Sequence, residues 1–176
     1  MQIGEKIKSG IRDVPDFPKK GIVFKDITPI MLNPALSNEV LSSLYEHYKN
    51  SGITKIAGIE SRGFLFGYPL AMKLGVPFVL IRKEGKLPYN KISYSYNLEY
   101  GSATIEMHTD AINKGDKVLI HDDLLATGGS ASAAAEIITK QGGYVQGFNF
   151  LVGLSFLKGR EKLNKFTKNI IILADY

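Results

Sequence analysis

The sequence predicts an α/β fold, a mainly parallel sheet flanked by helices, in a single domain that spans residues 1–176. Short apolar runs alternate along the chain with longer segments of helical periodicity, which is typical of strand–helix–strand units. The length of 176 residues is usual for one domain. Polar or glycine-rich segments follow several apolar runs, and ligands bind at such positions in parallel sheets.

The first elements are predicted from local signals. Residues 3–11 have isoleucines at helical spacing, so we expect a short helix there. Two prolines in residues 14–18 break a helix and favour an extended turn. Asn33 followed by Pro34 is a typical helix start, which predicts a helix from there to about Asn50.

Strands and helices alternate after residue 50. The predicted strands cover residues 55–59, 78–81, 117–121, 145–154 and 170–173, and the predicted helices cover residues 63–74, 130–141 and 157–163. Residues 92–97 and 103–107 alternate apolar with polar side chains and are expected to pair across Gly101 as a hairpin. Because parallel strands end at one edge of the sheet, the segments after Ile59, Ile81 and His121 are the candidate ligand loops.

Composition excludes several classes of protein. The chain has no cysteine, which excludes a disulfide framework, a thiol nucleophile and a thiolate metal site. No apolar run approaches the roughly 18 residues of a membrane span, and the first residues lack the apolar stretch of a signal peptide. We therefore expect a soluble cytoplasmic protein with no membrane partner. The 22 basic and 17 acidic residues give a net charge of +5, which suits either a nucleic acid or a polyphosphate substrate.

The segment after His121 carries the strongest functional signal. Asp122 and Asp123 are followed by a small-residue loop, residues 126–130, which opens the helix predicted from Ser130. Free backbone amides and the positive end of the helix dipole form an anion site there, and Gly128 and Gly129 allow close approach of the backbone. The two carboxylates would repel the same phosphate, but they can hold a diol or, through water, Mg²⁺. A helix cap beside two solvated acids is the simpler alternative; the full pattern favours a ribose 5′-phosphate site.

Five segments in chain order resemble the type I phosphoribosyltransferase family, and in particular its adenine-specific members. They are PDFP and GIVFKDI at residues 15–18 and 21–27, ESRGF at 60–64, IRKEGKLP at 81–88, YNLEYG at 96–101 and DDLLATGGS at 122–130. The resemblance implies a type I phosphoribosyltransferase-like sheet with a small N-terminal hood, residues 1–33, and a hairpin and lid loop. It further implies a homodimer that converts adenine and 5-phospho-α-D-ribose 1-diphosphate (PRPP) to AMP and pyrophosphate with Mg²⁺.

The resemblance also assigns residues to these substrates. The catalytic candidates are Glu99, Arg62, Arg82 and Lys86; the 5′-phosphate candidates are Ala126, Thr127, Gly128, Gly129 and Ser130; the pyrophosphate candidates are Ser61, Arg62, Arg82, Lys83 and Lys86; the adenine candidates are Val23, Phe24, Lys25 and Leu125. Asp122 and Asp123 are expected at the ribose, with Asp122 holding Mg²⁺ through water. Tyr100 is expected to pack over the ribose or lid, and Arg82 to reach across a dimer interface. A strained or cis peptide is expected at Glu60–Ser61.

Several alternatives stay open on the sequence. The basic residues Arg82, Lys83 and Lys86 also fit a solvated turn, and Glu99 also fits a solvated hairpin turn. The chain has Lys25 where relatives commonly carry arginine, so this position offers a single charge in place of a bidentate contact. His121 is either a hydrogen-bonded strand residue or a group that perturbs Asp123. A transferase for another nucleobase and a non-catalytic PRPP sensor that binds nucleic acid are the rival functions, although nucleic acid is not the expected partner.

Overall fold

The structure is a computed structural model that describes residues 2–97 and 101–176. Its main feature is a seven-stranded sheet, which confirms the predicted fold class, beside a separate two-stranded ribbon. In chain order the strands are β1 (Arg12–Pro15), β2 (Val23–Asp26), β3 (Lys55–Ile59), β4 (Phe78–Lys83), β5 (Lys91–Asn97), β6 (Ser102–His108), β7 (Lys117–Leu125), β8 (Tyr144–Gly153) and β9 (Ile170–Asp175). The helices are α1 (Ile3–Gly10), α2 (Thr28–Met31), α3 (Pro34–Tyr48), α4 (Gly63–Leu74), α5 (Gly129–Lys140) and α6 (Gly159–Leu163).

The large sheet has the strand order β5-β6-β4-β3-β7-β8-β9. Strands β4, β3, β7, β8 and β9 are parallel, while β5 and β6 form an antiparallel hairpin joined to the edge of β4. This arrangement confirms both the parallel core and the predicted hairpin. The carboxyl ends of β3, β4 and β7 lie side by side because these strands are adjacent and parallel.

Helices cover both faces of the sheet, and each face has its own apolar core. On one face, α5 packs its alanines and isoleucines against Val118, Ile120 and Phe148. On the other face, α1, α3 and α4 pack against residues that include Ile56 and Leu119. The alternation of Leu119 with its two neighbours along β7 shows directly that successive side chains face opposite layers.

The N-terminal segment contributes to the core as well as to a hood. Ile7, Ile27 and Ile30 are fully buried in the core that α3 and α4 share. Strands β1 and β2 pair in antiparallel register apart from the large sheet, with Val14 opposite Phe24. Of residues 2–33, the β1–β2 ribbon is therefore the part that lies apart from the large sheet, and we call it the hood ribbon.

Most predicted helix and strand positions are confirmed, and the cap of α3 is a clear example. The Asn33 side chain accepts a hydrogen bond of 3.1 Å from the Leu36 amide, and Pro34 occupies the first helical position. The helix predicted over residues 157–163 is wrong in detail. Lys158 has a φ of 55° and separates a 3-10 turn, Ser155–Leu157, from α6.

Within residues 2–97 and 101–176, none of the helices combines the length and hydropathy needed to cross a membrane.

Candidate active site

Three adjacent strand ends bring together most of the predicted site residues. Strand β3 leads into Glu60, Ser61 and Arg62, β4 ends with Arg82 and Lys83, and β7 carries Asp122 and Asp123. The prediction that the two acids follow the strand is wrong, because β7 continues to Leu125 alongside β8. Arg82 and Lys83 likewise lie within β4 rather than in the loop after it.

The small-residue loop at residues 126–130, which we call the phosphate-type loop, connects β7 to α5 as predicted. Gly128 has a φ of 74°, and a Cβ atom there would lie 2.9 Å from the carbonyl oxygen of Gly159. Only glycine combines that backbone conformation with so close a neighbour. A crevice lined by Asp122, Leu125 and residues 126–131 lies at this loop. The first amides of α5 border the crevice without helical partners, which makes it suitable for an anion.

Tyr96 is a site neighbour for which the sequence analysis predicted no individual role. Its hydroxyl lies 3.0 Å from the Ser130 hydroxyl, so strand β5 reaches the phosphate-type loop. Its ring carbons are also the nearest atoms to a Cβ placed on Gly129, at 3.4 Å. The alternation of apolar and polar residues in β5 was the available signal, because it places Tyr96 on the same face as Tyr94, against the α5 side of the sheet.

Asp122 and Asp123 differ in their surroundings although they are neighbours. Asp123 is buried and lies 3.0 Å from Arg62, between its Oδ2 and the arginine Nε. This Oδ2 accepts no hydrogen bond from any residue that the structure describes. Asp122 lines the crevice, and its Oδ1 accepts a 2.8 Å hydrogen bond from the Asp123 amide. The two carboxylates therefore lie beside the phosphate-type loop, one of them paired with the arginine of the β3–α4 segment.

Burial and mutual repulsion shape the ionisation of this pair. Burial raises the pKa of Asp122 well above its usual value, and the negative charge of Asp123 raises it further. Burial also raises the pKa of Asp123, although the positive charge of Arg62 opposes that change. A cation or a pair of hydroxyl donors bound between the two carboxylates would stabilise their charged forms against burial and mutual repulsion.

Arg62 also contacts the hood. Its guanidinium carbon lies 5.1 Å from the centre of the Phe24 ring, a cation–π geometry. Phe24 is half-buried, and the neighbouring Val23 is 48% exposed. One predicted adenine residue and one predicted pyrophosphate residue are thus in contact.

Lys25, one of the adenine candidates, directs its charge to two neighbours in this structure. Its ammonium group pairs with Asp13 at 2.7 Å and lies 4.1 Å from the centre of the Tyr176 ring. These partners hold the Lys25 charge on the hood ribbon and the C-terminus. Leu125 is the one adenine candidate outside the N-terminal segment. It is buried at the end of β7 and lines the crevice.

Glu60 is the principal residue that the sequence analysis left without a role. Arg82 donates hydrogen bonds of 3.1 Å from Nε and Nη2 to the two Glu60 carboxylate oxygens. The Lys83 amide adds a 2.9 Å bond to Glu60 Oε2. The hydrogen bonds from Arg82 lower the pKa of Glu60, so the carboxylate stays charged. Its place in the ESRGF segment was the only available signal, because its partners lie more than twenty residues away.

The remaining predicted residues divide into exposed groups and groups outside the described residues. Ser61, Lys83, Lys86 and Thr127 are exposed, and the Glu60–Ser61 peptide is cis, as predicted. Glu99 and Tyr100 lie outside the described residues. The loop after β4, which is expected to act as a lid, is attached at its base because the Gly85 amide donates a 3.1 Å hydrogen bond to the Glu106 carboxylate.

His121 is a hydrogen-bonded strand residue, one of the two alternatives open on the sequence. It is fully buried, and its Nδ1 lies 2.7 Å from Asn149 Oδ1. Burial lowers the pKa of His121 to about 4, so the imidazole is neutral and donates to Asn149. Its Nε2 has no hydrogen-bond partner within residues 2–97 and 101–176.

Known proteins match nearly the whole chain. A sequence model described as the phosphoribosyl transferase domain matches residues 25–153. An adenine phosphoribosyltransferase from Kosmotoga olearia is 53% identical over 166 residues, covering 94% of this chain and 98% of the relative.

Two solved structures show the same fold. The adenine phosphoribosyltransferase of Thermoanaerobacter pseudethanolicus aligns with a TM-score of 0.93 at 48% identity, over 98% of this chain and 99% of that one. The Saccharomyces cerevisiae enzyme, solved with adenine and D-2,5-dideoxy-2,5-imino-altritol 1,6-bisphosphate, aligns with a TM-score of 0.89 at 41% identity, over 97% and 98% of the two chains. The chain therefore belongs to the phosphoribosyltransferase family, among the adenine phosphoribosyltransferases.

Proposed function

We propose that this protein salvages adenine by transferring the phosphoribosyl group of PRPP to it, with AMP and pyrophosphate as products. The observation that carries the proposal is the position of the phosphate-type loop, residues 126–130, directly beside Asp122 and Asp123 at the sheet edge. A ribose 5′-phosphate presents a dianion next to a diol, which is the pattern that amides and carboxylates side by side recognise. Relatives named adenine phosphoribosyltransferases match almost all of the chain.

The proposed reaction is a displacement at C1′ of the ribose with inversion. The bond from C1′ to the pyrophosphate oxygen breaks and a bond from adenine N9 to C1′ forms, while adenine loses its N9 proton. The transition state resembles an oxocarbenium ion, and negative charge grows on the leaving oxygens. The protein does little covalent chemistry, so its main contributions are orientation and charge stabilisation.

The basic residues are proposed to stabilise the leaving group. Arg62 follows the β3 end, Lys83 ends β4, and Lys86 lies on the exposed loop after it. These residues lie at the same edge of the sheet as the phosphate-type loop. A pyrophosphate attached at C1′ of the ribose would extend toward them. Ser61 adds an exposed hydroxyl, and Glu99 remains the proposed acid or base beside the purine nitrogens.

Mg²⁺ is proposed to arrive with PRPP. The donor set fits it, because Asp122 and Asp123 supply adjacent carboxylates whose pKa values are raised by burial and, at Asp122, by repulsion between them. Asp122 would hold the ion through water, and Asp123 would stay with Arg62 and the ribose hydroxyls. When bound, Mg²⁺ supplies positive charge to the diphosphate and the diol.

Adenine is proposed to bind between the hood and the end of β7. The Phe24 ring supplies an apolar face, the Val23 backbone supplies hydrogen-bonding groups, and Leu125 supplies the opposite apolar wall. Lys25 is held by Asp13 and Tyr176, so only its backbone serves the base in this arrangement.

A homodimer in the cytoplasm completes the proposal. Helix α4 exposes Leu65, Tyr68 and Met72 on one face, at 42%, 54% and 66%. A second copy that covers this face would remove apolar surface from water.

One assay tests the activity. Purified protein is mixed with radiolabelled adenine, PRPP and Mg²⁺, and labelled AMP and released pyrophosphate are measured. Unlabelled hypoxanthine, guanine and uracil serve as competitors, and we expect only unlabelled adenine to suppress the signal strongly. Strong competition by another base would show that the protein is not specific for adenine. Absence of any nucleotide product, together with salt-dependent nucleic-acid binding, would favour the sensor instead.

A further inference from the structure

The contact between Glu60 and Arg82 joins two parts of the site that the sequence separates. Glu60 is the first residue after β3 and immediately precedes Ser61 and Arg62, both proposed to bind pyrophosphate. Arg82 lies on the neighbouring strand β4, where it pairs with Glu106 of β6 in the ladder. Its guanidinium is held edge-on by both Glu60 oxygens, at 3.1 Å each. Such two-point contacts fix the plane of a guanidinium as well as its position.

Two more contacts extend the same arrangement into the loop after β4. The Lys83 amide donates to Glu60 Oε2 at 2.9 Å, and Arg82 Nη1 donates to the Lys86 carbonyl at 2.9 Å. The base of the loop is thereby tied to the segment that precedes Arg62. The Glu60 side chain is only 14% exposed and that of Arg82 30% exposed, so water screens the pair less than it would a surface pair.

An arginine held in this way has fewer orientations to lose when an anion arrives. A free arginine side chain loses much of its rotamer freedom on binding, which weakens its contribution. Glu60 removes that cost beforehand but also neutralises part of the arginine charge. Because Glu60 uses Arg82 Nε and Nη2 and the Lys86 carbonyl uses Nη1, a diphosphate would approach the remaining N–H directions.

We propose that Glu60 is a positioning residue, which orients Arg82 and the base of the 84–90 loop for the pyrophosphate group. The proposal rests on the proposed transferase function. It assigns no contact between Glu60 and any substrate, since a carboxylate beside a diphosphate would be repelled. Glu60 acts on the leaving group through the side chain of Arg82 and the backbone of Lys83.

The test is the reverse reaction, in which AMP and pyrophosphate give adenine and PRPP. The variant Glu60→Gln keeps the side-chain size but loses the charge and one acceptor. We expect the KM for pyrophosphate to rise roughly five- to fiftyfold, within the range of coupling energies between contacting residues. The KM for AMP should stay within about twofold, because the 5′-phosphate loop does not touch Glu60. Glu60→Asp, which keeps the charge on a shorter chain, should recover part of the loss.

A double-mutant cycle shows whether Glu60 acts through Arg82. On an Arg82→Gln background, Glu60→Gln should raise the KM for pyrophosphate by less than about twofold further, because the oriented partner is gone. A matched control is the surface pair of Glu136 and Lys165, with a 2.8 Å contact away from the site. Glu136→Gln, Lys165→Gln and their double variant should leave both KM values unchanged.

The results that overturn the proposal are distinct from failure of the proposed function. If the wild type makes no product in either direction, the transferase function is wrong. If the wild type is active and Glu60→Gln leaves the KM for pyrophosphate unchanged or lowers it, Glu60 does not position Arg82. Equal losses for AMP and pyrophosphate with a lowered Tm would assign Glu60 a merely structural role, and full additivity with Arg82→Gln would place its effect elsewhere. Should Glu60→Gln fail to fold, Glu60→Asp is compared with Arg82→Gln by the same measurements.

Discussion

Asp122 lies near the end of β7, where folding half-buries its side chain and places it beside another negative charge. Both effects raise the pKa of Asp122, which means that the folded protein holds the ionised group at a cost. A neutral side chain of the same shape would therefore suit the fold without ligands better.

We predict that Asp122→Asn raises the Tm of the protein without ligands and lowers its activity. Asparagine can still accept the 2.8 Å bond from the Asp123 amide, while the buried charge is removed. A gain of about 1 kcal/mol would raise the Tm by about 2–4 °C in a chain of this size. The loss of one hydrogen bond from a hydroxyl to a charged group should lower kcat/KM about ten- to a hundred-and-fiftyfold.

Thermal melts and steady-state kinetics check both parts of this prediction. Asp110→Asn is the matched control, because Asp110 is exposed and outside the site, so neither quantity should change. A lower Tm for Asp122→Asn would contradict the cost assigned to the buried charge, and unchanged kcat/KM would remove Asp122 from the ribose site.

At the scale of elements, the loop between β7 and α5 depends on one glycine. Gly128 combines a positive φ with a close neighbour, since its Cβ would meet the Gly159 carbonyl oxygen at 2.9 Å. The contact joins the phosphate-type loop to the start of α6, so a side chain at position 128 would displace one of the two segments.

We predict that Gly128→Ala lowers stability by about 1–3 kcal/mol and raises the KM for PRPP at least about tenfold. Gly52→Ala separates backbone strain from steric contact, because Gly52 has a φ of 70° but no neighbouring atom within 4 Å. Gly52→Ala should lose part of the stability and keep its KM. Chemical unfolding and PRPP titration measure the two effects, and equal behaviour of the two variants would show that the contact with Gly159 has no consequence.

The starts of β3 and β7 are joined by an ion pair far from the site. Asp116 Oδ2 lies 2.9 Å from the Lys55 ammonium group and accepts a 2.7 Å bond from the Asn113 amide. Burial alone would raise the pKa of Asp116, but these hydrogen bonds and the lysine charge outweigh it and lower the pKa. A carboxyl whose pKa is lowered by folding stabilises the protein above its unfolded pKa and loses that effect as the pH falls through the folded value.

We therefore predict that Asp116→Asn destabilises the protein at pH 7 by about 1 kcal/mol, and that the difference from the wild type disappears as the pH falls from 7 through the lowered pKa of Asp116. Urea unfolding of both proteins across this pH range measures it. Because the pair lies at the opposite end of the strands from Arg62 and Asp123, kcat/KM at pH 7 should not change. A stability difference that grows on acidification would reverse the sign assigned to Asp116.

At the scale of the whole molecule, the sequence predicted the layers and order of the fold well, because apolar periodicity reports which faces are buried. It did not predict that β7 extends through Asp122 and Asp123, because aspartate disfavours strands. The strand continues there because β8 pairs Phe150 with Asp122 and Val152 with Leu124. The sequence also did not predict the ion-pair partners of Lys25 and Glu60. Each contact joins residues from different elements, and local patterns carry no information about such pairs.

The site was predicted mainly through segment resemblance rather than through the physics of single residues. Some features indicate a ligand without any resemblance, because each has a local physical reason. The glycines and the helix start indicate a phosphate, and the adjacent acids indicate a diol. The basic residues do not, since Arg82 and Lys83 read equally well as a solvated turn. Only the strand order brings the end of β4, which carries them, next to the end of β3, which precedes Arg62.

The last question at this scale is whether one copy of the chain is the complete enzyme. The face of α4 that carries Leu65, Tyr68 and Met72 follows helical spacing and is open to solvent, which is costly for a monomer. We predict a dimer by light scattering, and Met72→Glu should weaken its association at least about tenfold by placing a charge in the apolar contact. Tyr144→Glu is the matched control, because Tyr144 is also 66% exposed but lies at the start of β8, far from α4. A wild type that is monomeric at micromolar concentration, or a Tyr144→Glu variant that dissociates as readily, would contradict this interface. If Arg82 serves the site of the second copy, dilution of the Met72→Glu variant should also lower its activity per chain.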